Sequence, residues 1–558
     1  MPKNIIICSD GTGNTSIKDR GTNVFKLFEA VDLNGHRTDA DLTPQVALYD
    51  DGVGTQSFLP IKLLGGAFGW GLKRNVLNLY TGLVRIYDPG DRIYLFGFSR
   101  GAFTVRTLAG LIAKCGILDW NRTATSDGMR AEVATAYRRY RQGYRTWLWR
   151  VLHAKSLEDV QKSAAEAMST FRISRKVHDA RIHFIGVWDT VDSVGGPFHT
   201  SDLINTLFHR FKFPDQKLSD KVEHAVQALS IDDARAAFEP RLWEDHPNVE
   251  QVWFSGVHSN VGGGYPKQGM SLVTLDWMMQ KASEKDLRML PQDRKSYCEH
   301  GSVDDKLYDS RSGLGVFYQW KPRNMQTLCD EQKAGSQPCV HLSVFERIAH
   351  GTDGYAPGTL APAVRVVYTR SSDPDQDKVA EVRAEAVNSA LAKAFCNRGA
   401  DLEKVRGTLR LGRFAYYLYI ASCLAVFLAA SVPENAGSRL NPWIVLKNAG
   451  GLIYDAATMQ WEPLFASAKR ILTDPQLLGA LLAGFAISAA ISYYVEHTRS
   501  LVFSRFWHES RQELRQALKA ARKQVLVDQL VTSSVSVRQG EREPGLLEPS
   551  PVLQRGAE

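Results

Sequence analysis

The stretch that most constrains this chain runs from Arg92 to Phe103, R-I-Y-L-F-G-F-S-R-G-A-F. Ile93 to Gly97 reads as a buried strand, a G-x-S-x-G turn follows, and an apolar, helix-like run extends from Thr104 to Cys115. That order is what a nucleophile elbow requires. A serine on a tight strand-to-helix turn projects its hydroxyl out of the fold, and Gly97 and Gly101 bring no Cβ into the crowded backbone. The N-terminus of the following helix supplies N–H groups where an oxyanion can form. Three fixed positions at roughly 7% usage give about 0.2 chance matches in 558 residues. The pentapeptide alone is therefore weak, and the strand before it and the helix after it carry the inference. The competing reading is a glycine-rich packing turn.

Other segments fit the same α/β plan. Ile5 to Cys8 reads as the first strand of a parallel sheet, followed by the glycine-rich loop S-D-G-T-G-N from Ser9 to Asn14. This loop lacks both G-x-G-x-x-G and a P-loop lysine, and Cys8 stands where a dehalogenase-type phosphatase needs its aspartate. What is left is an oxyanion role for the Gly11 or Thr12 N–H, against a plain turn. Thr22 to Val31 is helical by pattern, and Gln45 to Tyr49 is a further strand. Arg181 to Trp188 is a strand that ends at Asp189, with Asp192 close behind. Val222 to Asp233 reads as a helix, and the strand from Val249 to Val257 delivers His258 onto a glycine-rich loop that is expected to be flexible.

Serine, acid and base thus come in the order used by α/β hydrolases. Ser99 would attack an acyl carbonyl, His258 would take its proton and Asp189 would orient the imidazole, with Asp192 and Asp233 as competing acids. The Arg100 N–H and that of Gly11 or Thr12 would hold the oxyanion.

The blocks I-C-S-D-G-T-G-N (7–14), G-F-S-R-G-A-F-T-V-R-T-L-A (97–109), V-W-D-T-V-D-S-V-G (187–195) and G-V-H-S-N-V-G-G-G-Y (256–265) together resemble one bacterial family. It is the catalytic domain of type VI secretion lipase effector class 1-like proteins, and the resemblance covers about residues 3 to 365. It implies an α/β-hydrolase fold and a serine esterase of phospholipase A type, with Ser99, Asp189 and His258 on the family's motifs. Relatives often carry Asp where this chain has Asn260, so no role is carried over to Asn260.

Net charge is +8, with the excess gathered at Arg138–Arg150, Lys404–Arg413 and beyond Arg499. No nucleic-acid motif accompanies these clusters, so an anionic membrane surface is the expected partner and nucleic acid is not. From Ala131 to Leu152, arginines interleave with Tyr137, Tyr140, Tyr144, Trp147 and Trp149, which suits either a lipid boundary or a solvated helix with its aromatics turned inward. The seven cysteines show no ligand spacing, so neither a metal nor a cofactor is expected. The start of the chain lacks the apolar run of a signal peptide.

Two uncharged runs of 19 residues, Phe414–Val432 and Leu477–Val495, are long enough to span a bilayer, the alternative being a buried helical hairpin. Lys404, Arg406, Arg410 and Arg413 precede the first run, and Arg499, Arg505, Arg511 and Arg515 follow the second. This bias predicts both ends in the cytoplasm. The expected organisation is a catalytic domain over 1–370, a helical linker over 371–412, the spanning pair within 413–496, a basic amphipathic helix over 497–530 and a disordered tail over 531–558. It predicts a multi-pass inner-membrane protein with its hydrolase domain in the cytoplasm and a lipid or other ester as substrate. A non-catalytic membrane adaptor and an exported antibacterial effector are the alternatives, and a secretion-apparatus partner or a second copy of the chain is left open.

Overall fold

A computed structural model of the chain describes residues 2–11, 21–51, 68–120, 125–142, 177–191, 216–312, 318–360, 363–371, 373–396, 399–431 and 462–540. Its centre is an eight-stranded sheet. The strands are β1 (Asn4–Ser9), β2 (Gln45–Asp50), β3 (Arg92–Phe98), β6 (Ile182–Trp188), β7 (Ala225–Ser230), β8 (Val249–Phe254), β9 (Cys339–His341) and β10 (Arg365–Val367). They lie in the order β10-β9-β8-β7-β6-β3-β1-β2, and each neighbouring pair is parallel. The short strands β4 (Ile117–Leu118) and β5 (Val177–His178) pair separately and antiparallel.

Parallel strands covered on both faces must be apolar on both, and the two-residue period of a strand divides them. Ile5, Ile7, Ile93 and Leu95 enter one core, while Ile6, Cys8, Tyr94 and Phe96 enter the other. The helices in chain order are α1 (Asn23–Ala30), α2 (Gly35–Thr38), α3 (Phe68–Ile86), α4 (Arg100–Cys115), α5 (Ser126–Gln142), α6 (His258–Gly262), α7 (Gly269–Ser283), α8 (Pro291–His300) and α9 (Met325–Glu331). They continue with α10 (Leu342–His350), α11 (Pro374–Cys396), α12 (Gly399–Ser431), α13 (Glu462–Thr473) and α14 (Pro475–Gly540). Helices α3, α4 and α5 cover the first face, and α1 and α7 the second. The chain turns one way from β1 to β2 and the other way to β3, so a crevice opens at the carboxyl ends of β1 and β3.

Three expectations change. The run expected as a helix from Val222 to Asp233 contains β7, a central strand with every residue buried. A short apolar run has no polar face to set its period, and burial on both sides decided for strand. Within α5, Tyr137 and Tyr140 are buried in the core, which favours the inward-facing reading there; Tyr144, Trp147 and Trp149 lie outside the described residues. The third change concerns the apolar runs. Among the described residues one helical stretch, Pro475–Val495, is long and apolar enough to cross a membrane, whereas Phe414–Ala430 is a shorter apolar helix. At 1.5 Å per residue they measure about 32 Å and about 26 Å, against a hydrocarbon core of about 30 Å.

The two runs pack antiparallel through small residues. Ser488 Oγ donates to the Ala415 carbonyl at 2.8 Å, and a Cβ on Gly484 would come within 2.8 Å of the Ser422 Cβ. Beyond Val495 the same helix α14 continues into the third core, burying Phe503, Trp507, Leu514 and Leu518 among residues of β7 to β10, α10 and α11. The Trp507 Nε1–H donates to the Pro357 carbonyl at 2.8 Å, and Arg511 Nε to that of Ile348 at 2.9 Å. Arg515 reaches the Ala349 and His350 carbonyls. Two of the four cations counted after the second run thus complete the C-terminus of α10.

Trp507→Ala should therefore cost about 3–5 kcal/mol. Denaturant unfolding of the purified chain in detergent checks this, and an unchanged midpoint would show that the docked half of α14 adds nothing to the core.

Candidate active site

The turn after β3 is strained. Ser99 has φ 58° and ψ −121°, a region costing roughly 1–3 kcal/mol for a side-chain-bearing residue. The strain is held by the Ser99 N–H donating to the Trp188 carbonyl at 3.0 Å and by α4 beginning at Arg100. Ser99 makes no side-chain cap to α4, so its hydroxyl is not spent on the helix it precedes. Both glycines of the motif have steric reasons. A Cβ at Gly97 would lie 2.7 Å from the Ala102 N and Cα, and one at Gly101 would lie 2.0 Å from the Ser9 carbonyl oxygen. The end of β1 therefore abuts the elbow.

One strand over, β6 ends at Asp189, also at positive φ (42°) and fully buried. Its carboxylate is the hub of the site. Oδ2 accepts from His258 Nδ1 at 2.5 Å, and Oδ1 accepts from the Ser230 N–H at 3.0 Å. Arg323 grips both oxygens, Nη1 to Oδ1 at 2.7 Å and Nη2 to Oδ2 at 2.8 Å. The same guanidinium donates to the carbonyls of Ser230 and Phe238. Burial alone would raise the Asp189 carboxyl, but the Arg323 charge and the hydrogen bonds from His258 and Arg323 hold it well below the usual carboxylate range.

An ionised carboxylate only accepts, so His258 carries its proton on Nδ1 and offers a lone pair at Nε2. Nε2 is buried and has no hydrogen-bond partner among the described residues. The ring lies against Phe98, the residue before Ser99, with centroids 4.6 Å apart, and the Phe238 ring meets it edge-on at 5.0 Å. Burial lowers the His258 pKa below its ordinary value, and the Asp189 hydrogen bond offsets only part of that effect.

His258 does not sit on a flexible loop as expected. It opens the short helix α6, fixed by buried Asn260, whose Oδ1 accepts the Val257 N–H at 3.3 Å and whose Nδ2 donates to the Lys306 carbonyl at 3.1 Å. Asp233, the competing acid, is placed otherwise. Its oxygens accept from Arg235 Nε at 3.0 Å and Nη2 at 2.6 Å, and from the His258 main-chain N–H at 3.2 Å. Burial opposes its ionisation, but the Arg235 charge holds its pKa below the usual value. Asp189, not Asp233, meets the imidazole, while Asp192 lies outside the described residues.

Of the oxyanion candidates, the Gly11 N–H donates to Asp10 Oδ1 at 2.6 Å, Thr12 lies outside the described residues, and Arg100 opens α4. Asp10 Oδ2 accepts from the hydroxyls of Thr22 at 2.5 Å and Tyr49 at 2.7 Å, tying this loop to α1 and β2. Among the described residues no three His, Cys, Asp or Glu side chains group as metal ligands would. Sequence reasoning missed Arg323, which lies in an irregular stretch 134 positions from its partner.

Strand order and switch point place this chain among α/β proteins with a mostly parallel sheet covered by helices on both faces. More particularly, it belongs to the family described as T6SS, phospholipase effector Tle1-like, catalytic domain, whose model matches residues 3–281, half of the chain. It is 30% identical over 271 residues to the uncharacterized protein YEL023C of Saccharomyces cerevisiae, covering 46% of this chain and 35% of that protein. The chain thus spans about a third of the length of this curated relative. Among solved structures, the Tle1 effector bound to the VgrG spike of the type 6 secretion system matches at 13% identity and TM-score 0.32, over 60% of this chain and 84% of that one. An uncharacterized protein from Pseudomonas aeruginosa matches at 15% identity and TM-score 0.32, over 87% of this chain and 62% of that one.

Arg323→Ala leaves a buried carboxylate without its counter-ion and should cost about 3–5 kcal/mol. The sign with pH follows from the depressed Asp189 pKa. Its stabilisation is present above the ordinary value of 3.8 and is lost as pH falls below it. The variant should begin to lose stability at higher pH than the wild type. Coincident acid-unfolding curves would contradict the assignment.

Proposed function

We propose that the chain is a serine hydrolase that cleaves a carboxylic ester of a membrane lipid, as a phospholipase A does. The observation that carries this reading is the Asp189–His258 pair, whose Nε2 is left unpartnered beside the strained Ser99 elbow. The Ser99 Oγ attacks the acyl carbonyl, and His258 Nε2 takes its proton and returns it to the leaving alkoxide. Water then releases the acyl group by the reverse roles. Asp189, held ionised by Arg323, fixes the tautomer and stabilises the imidazolium that forms. The Arg100 N–H is the first oxyanion donor. The second is the Gly11 or Thr12 N–H, the former donating to Asp10 Oδ1 when no substrate is bound.

The apolar parts of α12 and α14 would lie in a bilayer, with both ends of the pair on the cytoplasmic side of the bacterial inner membrane. Membership in a phospholipase effector family favours a second reading, an exported toxin acting on a target membrane. Fractionation of the producing cell separates the two, since a resident enzyme is recovered in its own inner membrane.

A fluorophosphonate probe should label the wild type and not Ser99→Ala, and phospholipid hydrolysis should fall by about 10⁴-fold or more in that variant. Equal labelling, or equal activity, would remove Ser99 from the reaction and leave the non-catalytic adaptor. The kcat/KM of the wild type should rise with pH as His258 loses its proton, with a midpoint below 6.5 because burial lowers that pKa. A midpoint at or above 6.5 would mean that another group limits the reaction.

A further inference from the structure

A cavity of about 880 Å³ lies between the hydrolase domain and the apolar helix pair. Its volume falls within the roughly 300–1,000 Å³ typical of ligand sites. The two sides differ in chemistry. Tyr416 and Tyr419 of α12 and Phe485, Ala489 and Val495 of α14 form an apolar and aromatic wall. Opposite them stand Asp232, Asp309, Asp353 and Arg311; Asp353 pairs with Arg347 at 3.5 Å and Asp232 Oδ2 accepts from the Gly256 N–H and the Tyr355 hydroxyl, so three carboxylates face two cations. The α14 residues belong to the stretch of membrane-crossing length. The polar side adjoins the site: Val257 precedes His258, and Asp232 and Ala234 flank Asp233. Tyr308, also in the lining, stacks on Tyr265 with centroids 4.0 Å apart.

We propose that this cavity binds one phospholipid with an amine-bearing headgroup, its acyl chain against the α12–α14 wall and its ammonium toward Asp232 and Asp309. The proposal rests on the membrane setting given under the proposed function. Each methylene withdrawn from water contributes about 0.8 kcal/mol, so the apolar wall supplies the affinity. The carboxylates select against an anionic headgroup. The cavity would hold lipid drawn from the leaflet beside Val257, the residue that precedes His258.

The test uses the full chain carrying Ser99→Ala, in vesicles containing trace phosphatidylethanolamine with a photoactivatable diazirine in its acyl chain. Cross-links should map to α12 and α14 residues of the cavity wall. Ala489→Trp and Ser492→Phe, which fill it, should each lower labelling about tenfold, with thermal unfolding midpoints unchanged. Phosphatidylglycerol with the same acyl label should cross-link several-fold less. Absence of cavity cross-links, or full labelling in both filled variants, overturns the site, and equal labelling by phosphatidylglycerol overturns the amine assignment. Because Ser99→Ala needs no turnover, cavity labelling together with a wild type inert on phospholipid would refute the hydrolase reading while leaving the binding site standing.

Discussion

The clasp of Arg323 on Asp189 is the interaction on which the rest of the site depends. A carboxylate with no exposure to water keeps its charge only if something nearby is charged and well aimed, and the two parallel Nη–Oδ contacts meet that condition. The imidazole tautomer follows from it. If Asp189 were protonated, the His258 Nδ1 would have no obligate acceptor and Nε2 no assured lone pair. Arg323 also binds the carbonyls of Ser230 and Phe238, so one side chain aligns β7, the segment after it and the acid together.

The sheet contributes the spacing. Ser99, Asp189 and His258 follow the carboxyl ends of β3, β6 and β8, with β7 between the last two. Ser99 and Asp189 both sit at positive φ, where a strand ends abruptly and the chain turns out of the sheet plane. The strain is tolerated because Gly101 lets the elbow settle on the Ser9 and Asp10 carbonyls.

Much of this is legible in the sequence. The elbow is visible because the hydrophobic period switches from strand to helix across G-x-S-x-G, and Ile5–Cys8 and Arg181–Trp188 read as strands for the same reason. β7 was not legible, because A-V-Q-A-L-S has no face that must stay wet. Arg323 was invisible for a different reason. Its neighbours Lys321, Pro322 and Asn324 resemble any solvated loop, and its burial is decided by a partner 134 positions away. His258 was found, but its rigidity was not, since Asn260 acts through side-chain contacts that the glycines after it disguise.

Helix α14 is 66 residues long, about 99 Å at 1.5 Å per residue, and it is unbroken from its apolar half to the half docked in the core. A helix bends sharply only where its hydrogen-bond ladder is interrupted. The two halves therefore act as a single lever with no joint. The direction of the apolar end is thereby tied to α10 and α11, against which the other half is buried. The height and pitch of the crevice are set by the shaft on which it is mounted, in the way a blade's angle is set by its handle.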